Sequence, residues 1–156
     1  QYNISLLSLS NFNVCKECYL EWGISTIAFS PLNQGILTDS YFLDNKENES
    51  RSKENSSTVY SKNKNLESGL KYLHKIAKSN SISIEMLAMS WLIAQDFICS
   101  LAYGPRKIDQ IFKMQDLYES SVKASSILEE KELRNISIES LDQWKVRNIK
   151  AEYNII

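Results

Sequence analysis

The chain predicts an α/β fold built on a parallel sheet, and three observations carry that expectation. Two short apolar runs, Ile24-Ser25-Thr26-Ile27-Ala28-Phe29 and Phe97-Ile98-Cys99-Ser100-Leu101-Ala102, have the length and residue types of strands. Each is closed by a turn signal, Ser30-Pro31 in the first case and Gly104-Pro105 in the second. Between them lie segments of helical and not alternating periodicity. Strands separated by helices pair in parallel through right-handed crossovers.

The elements follow in order. A helix is expected from about Asn13 to Glu21, with Val14, Cys18 and Leu20 as its apolar stripe and Gly23 just past its end, where a residue free to adopt positive φ is favoured. The first strand follows at once, and helix, short loop, strand is an α/β succession. Leu32 to Tyr41 contains Gly35 and no clean period, which makes it a structured loop. From Asp44 to about Asn65 the composition turns to Asn, Lys, Glu and Ser, with only Val59 and Tyr60 as anchors. So little apolar surface does not offset the entropy of ordering, and 44–64 reads as a flexible insertion loop, with an interaction or regulatory segment as the alternative.

Leu66 to Ser79 sets Leu66, Leu70, Leu73, Ile76 and Ala77 at helical spacing, with Lys71, Lys75 and Lys78 opposite. His74 lies on that helix with no carboxylate or serine partner visible in the sequence, and reads as a rim histidine and not as a catalytic base. Ser83 is an N-cap for a helix from Ile84 to about Gln95, buried through Leu87, Ala88, Trp91 and Leu92, with Met86 and Met89 filling its packing. After the second strand, Lys107 to about Ser121 is expected as a helix with Ile108, Ile111, Phe112 and Leu117 as its apolar face. Further helices are expected from near Leu128, capped by Ser126, and from Ile138 to about Ile149.

Bulk properties narrow the function classes. A length of 156 residues with 43% hydrophobic and 24% charged residues suits one globular domain. Eighteen basic against nineteen acidic residues leave a net charge of −1, which provides no electrostatic footprint for nucleic acid. No apolar run reaches the roughly 20 residues of a bilayer span, and no secretory leader opens the sequence, so a cytoplasmic location is expected. The start at Gln1 suggests a piece of a longer protein, although a processed mature chain begins in the same way. Cys15, Cys18 and Cys99 are an odd set that argues for a reducing compartment. Cys15 and Cys18 share a helix and lack the further ligands of a zinc site, so they read as packing residues.

Four stretches, Tyr2–Leu7, Ser30–Thr38, Leu87–Leu92 and Gly104–Gln110, together resemble the aldo-keto reductases, in the branch of bacterial aldo-keto reductases and potassium-channel β subunits. Tyr2-Asn3-Ile4-Ser5-Leu6-Leu7 is similar to the family's run after the sixth barrel strand. Ser30-Pro31-Leu32-Asn33-Gln34-Gly35-Ile36-Leu37-Thr38 resembles its SPLxxGLLT loop, and is the most specific of the four. Leu87-Ala88-Met89-Ser90-Trp91-Leu92 is similar to its LALAWLL helix, and Gly104-Pro105-Arg106 with Gln110 to its G-x-R-x-x-x-Q segment. The resemblance spans roughly residues 1 to 145 and implies a partial domain over 1–156, the C-terminal half of a (β/α)8 TIM barrel with about strands six to eight. In such barrels ligands sit at the C-terminal ends of the strands, and phosphate sites form on the loops after strands seven and eight.

The resemblance also implies an NADP-dependent oxidoreductase that reduces a small-molecule carbonyl substrate by hydride transfer. It places Phe29 against the nicotinamide ring, Ser30, Leu32, Gln34 and Gly35 around the pyrophosphate, and Gly104, Arg106 and Gln110 at the adenosine end. Arg106 favours NADP (NADPH), because its planar fork of donors suits a 2′-phosphate. Lys113 and Met114 stand where the family has Glu and Asn, and Ser40 where it often has Lys. The family's Asp, Tyr, Lys and His match no position of this chain, so no catalytic residue and no metal ligand is assigned. The alternative is a non-catalytic half-barrel that binds nucleotide or a partner, paired with an N-terminal half-barrel or with a second copy as a homodimer.

Overall fold

The computed structural model describes residues 1–7, 9–42, 64–115, 117, 127 and 128. They run β1 (Tyr2–Asn3), α1 (Ser10–Trp22), β2 (Thr26–Phe29), α2 (Lys64–Ser79), α3 (Ile84–Ile93), β3 (Ile98–Ala102) and α4 (Ile108–Phe112), with 3-10 turns at Asn33–Gly35 and Asp39–Phe42. The strands form one sheet in the order β1-β2-β3, with β2 and β3 parallel as expected and β1, which the residue pattern does not mark as a strand, also parallel to β2. Phe29 stands opposite Asn3 on one side and Ala102 on the other, so all three strands finish at the same edge. The register slips between Thr26 and Ile27, and the Cys99 thiol there donates to the Thr26 carbonyl over 3.4 Å.

α1 ends where glycine allows it to. Gly23 is left-handed at φ 68°, its N–H donates to the Tyr19 carbonyl at 2.9 Å, and the Ile24 N–H reaches the Cys18 carbonyl at 3.5 Å. The stripe expected on this helix is corrected. Val14 and Leu20 are 49% and 73% exposed, whereas Phe12 and Cys15 are buried and Tyr19 packs at the edge of the core. The helix begins at Ser10 and not near Asn13, and Phe12 sets the face. Its ring stacks on Trp91 at 5.3 Å and meets Phe97 edge-on at 4.8 Å, tying α1 to α3 and to the start of β3.

α3 is the central helix. The Ser83 hydroxyl caps it by accepting from the Met86 N–H at 3.1 Å. Ile84, Leu87, Ala88, Met89, Trp91 and Leu92 are all buried, so the helix is apolar around most of its circumference, as an interior helix must be. The Trp91 indole N–H is satisfied by the Leu128 carbonyl at 3.1 Å. α2 is amphipathic as expected: Leu70, Leu73 and Ala77 are buried while Lys71, Lys75 and Lys78 face solvent.

α4 departs from expectation. It spans five residues, and Ile108, Ile111 and Phe112 are 71%, 54% and 60% exposed, so they do not form a packed face. A helix of little more than one turn presents too short a stripe to dock on a core through periodicity alone. The insertion expected at 44–64 lies outside the described residues except for Lys64, and so do the helices expected beyond Leu128. Among the described residues, no helix is long and apolar enough to cross a membrane.

Candidate functional site

Two loops leave the common C-terminal edge of the sheet, one after β2 and one after β3. Because Phe29 and Ala102 are register partners on neighbouring strands, the loops begin about 5 Å apart. Phe29 ends β2 with its side chain exposed.

The loop after β2 is held in a costly conformation. Ser30, Asn33 and Gln34 have φ of 54°, 46° and 58°, in the left-handed region that side chains with a Cβ disfavour, and Gly35 follows at 93°. Left-handed non-glycine residues cost on the order of 1–3 kcal/mol each and gather at functional sites. Internal bonds hold the shape: the amides of Asn33, Gly35 and Leu37 donate to the carbonyls of Ser30, Leu32 and Leu32 at 2.8, 3.0 and 3.1 Å. The Thr38 hydroxyl donates to the Gly35 carbonyl at 2.7 Å. Pro31 and Leu37 are buried and Leu32 packs partly on the core, so the loop is anchored by its apolar residues. Pro31 has no N–H, and among the described residues the Leu32 and Gln34 amides donate to no backbone carbonyl. They are the loop's available donors for an anion.

In the loop after β3 one side chain bonds two backbone amides. The Gln110 carboxamide oxygen accepts from the Arg106 N–H at 2.8 Å and the Lys107 N–H at 3.2 Å, folding Gly104-Pro105-Arg106 over the start of α4. Gln110 is therefore committed through its oxygen to its own loop. The Arg106 side chain is exposed. A Cβ added at Gly104 would meet nothing within 4 Å, so the fold itself does not demand glycine there, and the space is open to a ligand.

Three features were not legible in the sequence. The first corrects the reading of His74 as partnerless: its Nε2 lies 3.7 Å from Asp39 Oδ1, and its ring stacks on Phe42 at 4.2 Å. Second, burial, then the carboxylates of Glu85 and Asp109, raise the Tyr103 hydroxyl above its ordinary value. Acidic side chains, Glu85 and Asp109, thus act on Tyr103 beside Gly104. Third, Asn3 Oδ1, on the strand beside Phe29, is buried and has no hydrogen-bond partner among the described residues. Cys15, Cys18 and Cys99 are free thiols, and no cluster of three metal-ligating side chains occurs among the described residues.

The family model described as "Aldo/keto reductase family" matches residues 1–138. No curated protein matches the chain at a significant level.

Proposed function

The chain belongs to the aldo/keto reductase family, and we propose that it supplies the nucleotide-binding side of an NADP-dependent oxidoreductase that reduces small carbonyl compounds. In this reading β1, although it lies in the run that the resemblance sets after strand six, is the end of that strand, β2 and β3 are strands seven and eight of a (β/α)8 barrel, residues 1–156 are its C-terminal half, and 44–64 is an insertion. The observation that carries the reading is the shared strand edge, from which a strained loop with two available amides and a loop bearing an arginine both emerge. In α/β barrels that edge is where ligands bind.

The residues present fit a phosphorylated dinucleotide. Bound there, the cofactor supplies the hydride that a carbonyl carbon accepts. Phe29 offers an apolar ring face to the nicotinamide. The amides of Leu32 and Gln34 and the Ser30 hydroxyl hold the pyrophosphate, and Gly35 permits the turn that presents them. Gly104 leaves room for the adenosine 2′-phosphate, Arg106 binds it as a planar fork of donors, and Gln110 fixes the Arg106 backbone. No group of this chain is assigned to donate the proton to the carbonyl oxygen. The 156-residue chain alone is therefore expected to bind NADPH without turnover, while the longer protein reduces aldehydes or ketones. Titration of NADPH fluorescence tests this: saturable binding, tighter than for NADH, is expected, and its absence from a folded sample overturns the reading.

A second reading is favoured by the exposed apolar residues Trp22, Ile24, Ile108, Ile111 and Phe112. It takes the chain as a non-catalytic half-barrel that pairs with another half or with its own copy. Sedimentation velocity separates the two, since a stable dimer without nucleotide affinity supports the second.

A further inference from the structure

The Asp39 carboxylate lies where three elements meet. It belongs to the 3-10 turn Asp39–Phe42, at the far end of the segment that begins with Ser30. Its Oδ1 accepts from the backbone N–H of Ile84, the first residue of α3, at 3.3 Å. The same oxygen lies 3.7 Å from His74 Nε2 on α2. Three residues on, Phe42 stacks on the His74 ring at 4.2 Å with 21° between the planes, and Tyr41 meets Phe42 edge-on at 5.5 Å. Thr38 carries this anchorage back into the strained turn, for its hydroxyl bonds both the Gly35 carbonyl at 2.7 Å and the Ser40 hydroxyl at 2.9 Å.

We propose that Asp39 is a positioning residue that fixes the phosphate-binding turn Ser30–Gly35 by clamping its distal end to α2 and to the first turn of α3. The inference rests on the nucleotide reading above and deepens it by assigning a residue that does not touch the cofactor. The chemistry supports a clamp and not a chance contact. An α-helix leaves its first N–H groups unsatisfied and carries partial positive charge at that end, so a carboxylate at Ile84 satisfies a donor and gains from the helix field. Ser83 already caps the Met86 N–H, so Asp39 fills a position that the helix's own cap leaves open. His74 is the second attachment, through its ring nitrogen to Asp39 and its ring face to Phe42. The turn needs such support because Ser30, Asn33 and Gln34 are held at positive φ and relax if the segment beyond them is released.

Three substitutions separate the contacts. Asp39→Ala removes both, Asp39→Asn keeps an oxygen for the Ile84 N–H but not the charge, and His74→Phe keeps a ring against Phe42. Hydrogen exchange without nucleotide reads the clamp directly: in Asp39→Ala the amides of Ile84, Ile36 and Leu37 exchange faster while those of β2 do not change, and Asp39→Asn restores protection at Ile84. For Asp39→Ala, NADPH affinity falls about threefold to tenfold, the equivalent of one modest hydrogen bond. Affinity for 2′-AMP, which reaches only the loop after β3, stays the same, an outcome that general destabilisation does not give. Unchanged exchange at Ile36 and Leu37 overturns the clamp, and equal loss for NADPH and 2′-AMP, or loss for neither, overturns the positioning role. If the unsubstituted protein binds no NADPH, the nucleotide reading fails and the exchange data judge the clamp alone.

Discussion

Replacing Arg106 with Ala separates phosphate recognition from loop structure, because the bond that shapes the loop is made by the Arg106 backbone. Its N–H donates to Gln110 at 2.8 Å and survives the substitution, as does the Lys107 N–H bond at 3.2 Å. The change therefore removes the guanidinium while both backbone bonds to Gln110 remain. A hydrogen bond to a charged group contributes about 1.5–3 kcal/mol. The Arg106 side chain is exposed, and solvent screening places the expected loss at the lower limit, about 1.5 kcal/mol or roughly tenfold in Kd. Fluorescence titration with NADPH and with NADH is the assay. A roughly tenfold weaker Kd for NADPH beside an unchanged Kd for NADH is expected, since only the first carries a 2′-phosphate. Lys107→Ala serves as the comparison: a Lys neutralises phosphate as a point charge without the planar fork, so its loss is smaller. Equal loss for both nucleotides would show that Arg106 holds the fold or the adenine. Loss with Lys107→Ala alone would move the phosphate contact to Lys107.

Three further outcomes follow from the same geometry. Gly104→Ala adds a methyl to open space, so the melting temperature should hold or rise slightly while NADPH affinity falls; a drop in stability would mean that the glycine serves the fold. Leu87→Ala opens a cavity in the core and should cost about 2–5 kcal/mol in urea denaturation, whereas Ile108→Ala, at a 71% exposed position, should stay within about 0.5 kcal/mol, and the reverse order would refute the packing described. The raised Tyr103 value has a definite sign: the folded state holds the phenolic proton more tightly than the unfolded state. Stability is thus fully present below about pH 10 and declines as pH rises through the folded value, and Tyr103→Phe should lessen that alkaline decline in thermal melts taken from pH 8 to 11; an unchanged alkaline slope would refute the burial and charge described.

What was legible in the sequence is set by how local each determinant is. The strands at Thr26–Phe29 and Ile98–Ala102, the Gly23 stop and the Ser83 cap all depend on residues within a few positions of one another, and they stand close to where the pattern placed them. Loop residues Ser30 to Gly35 are recognisable as a motif, but the full left-handed run is not, because Gly35 and to a lesser degree Asn33 favour positive φ by type whereas Ser30 and Gln34 do not. The α1 stripe is not set by local apolar spacing: Val14 and Leu20 are apolar yet outward, and what decides the face is Phe12 meeting Trp91, whose positions are far apart in sequence. The same distance hid the Asp39 contacts with His74 and Ile84. For α4 the apolar spacing was present, but spacing does not bury a helix without a surface to receive it.

The central claim is that the loops after β2 and β3 together form one NADP site. It is tested most directly by amide chemical-shift mapping of the labelled protein titrated with NADP. Concerted shifts at Leu32, Gln34 and Gly35 and at Gly104, Arg106 and Gln110, fitting one dissociation constant, are expected. Shifts confined to one loop, or absent from both in a folded sample, would contradict it.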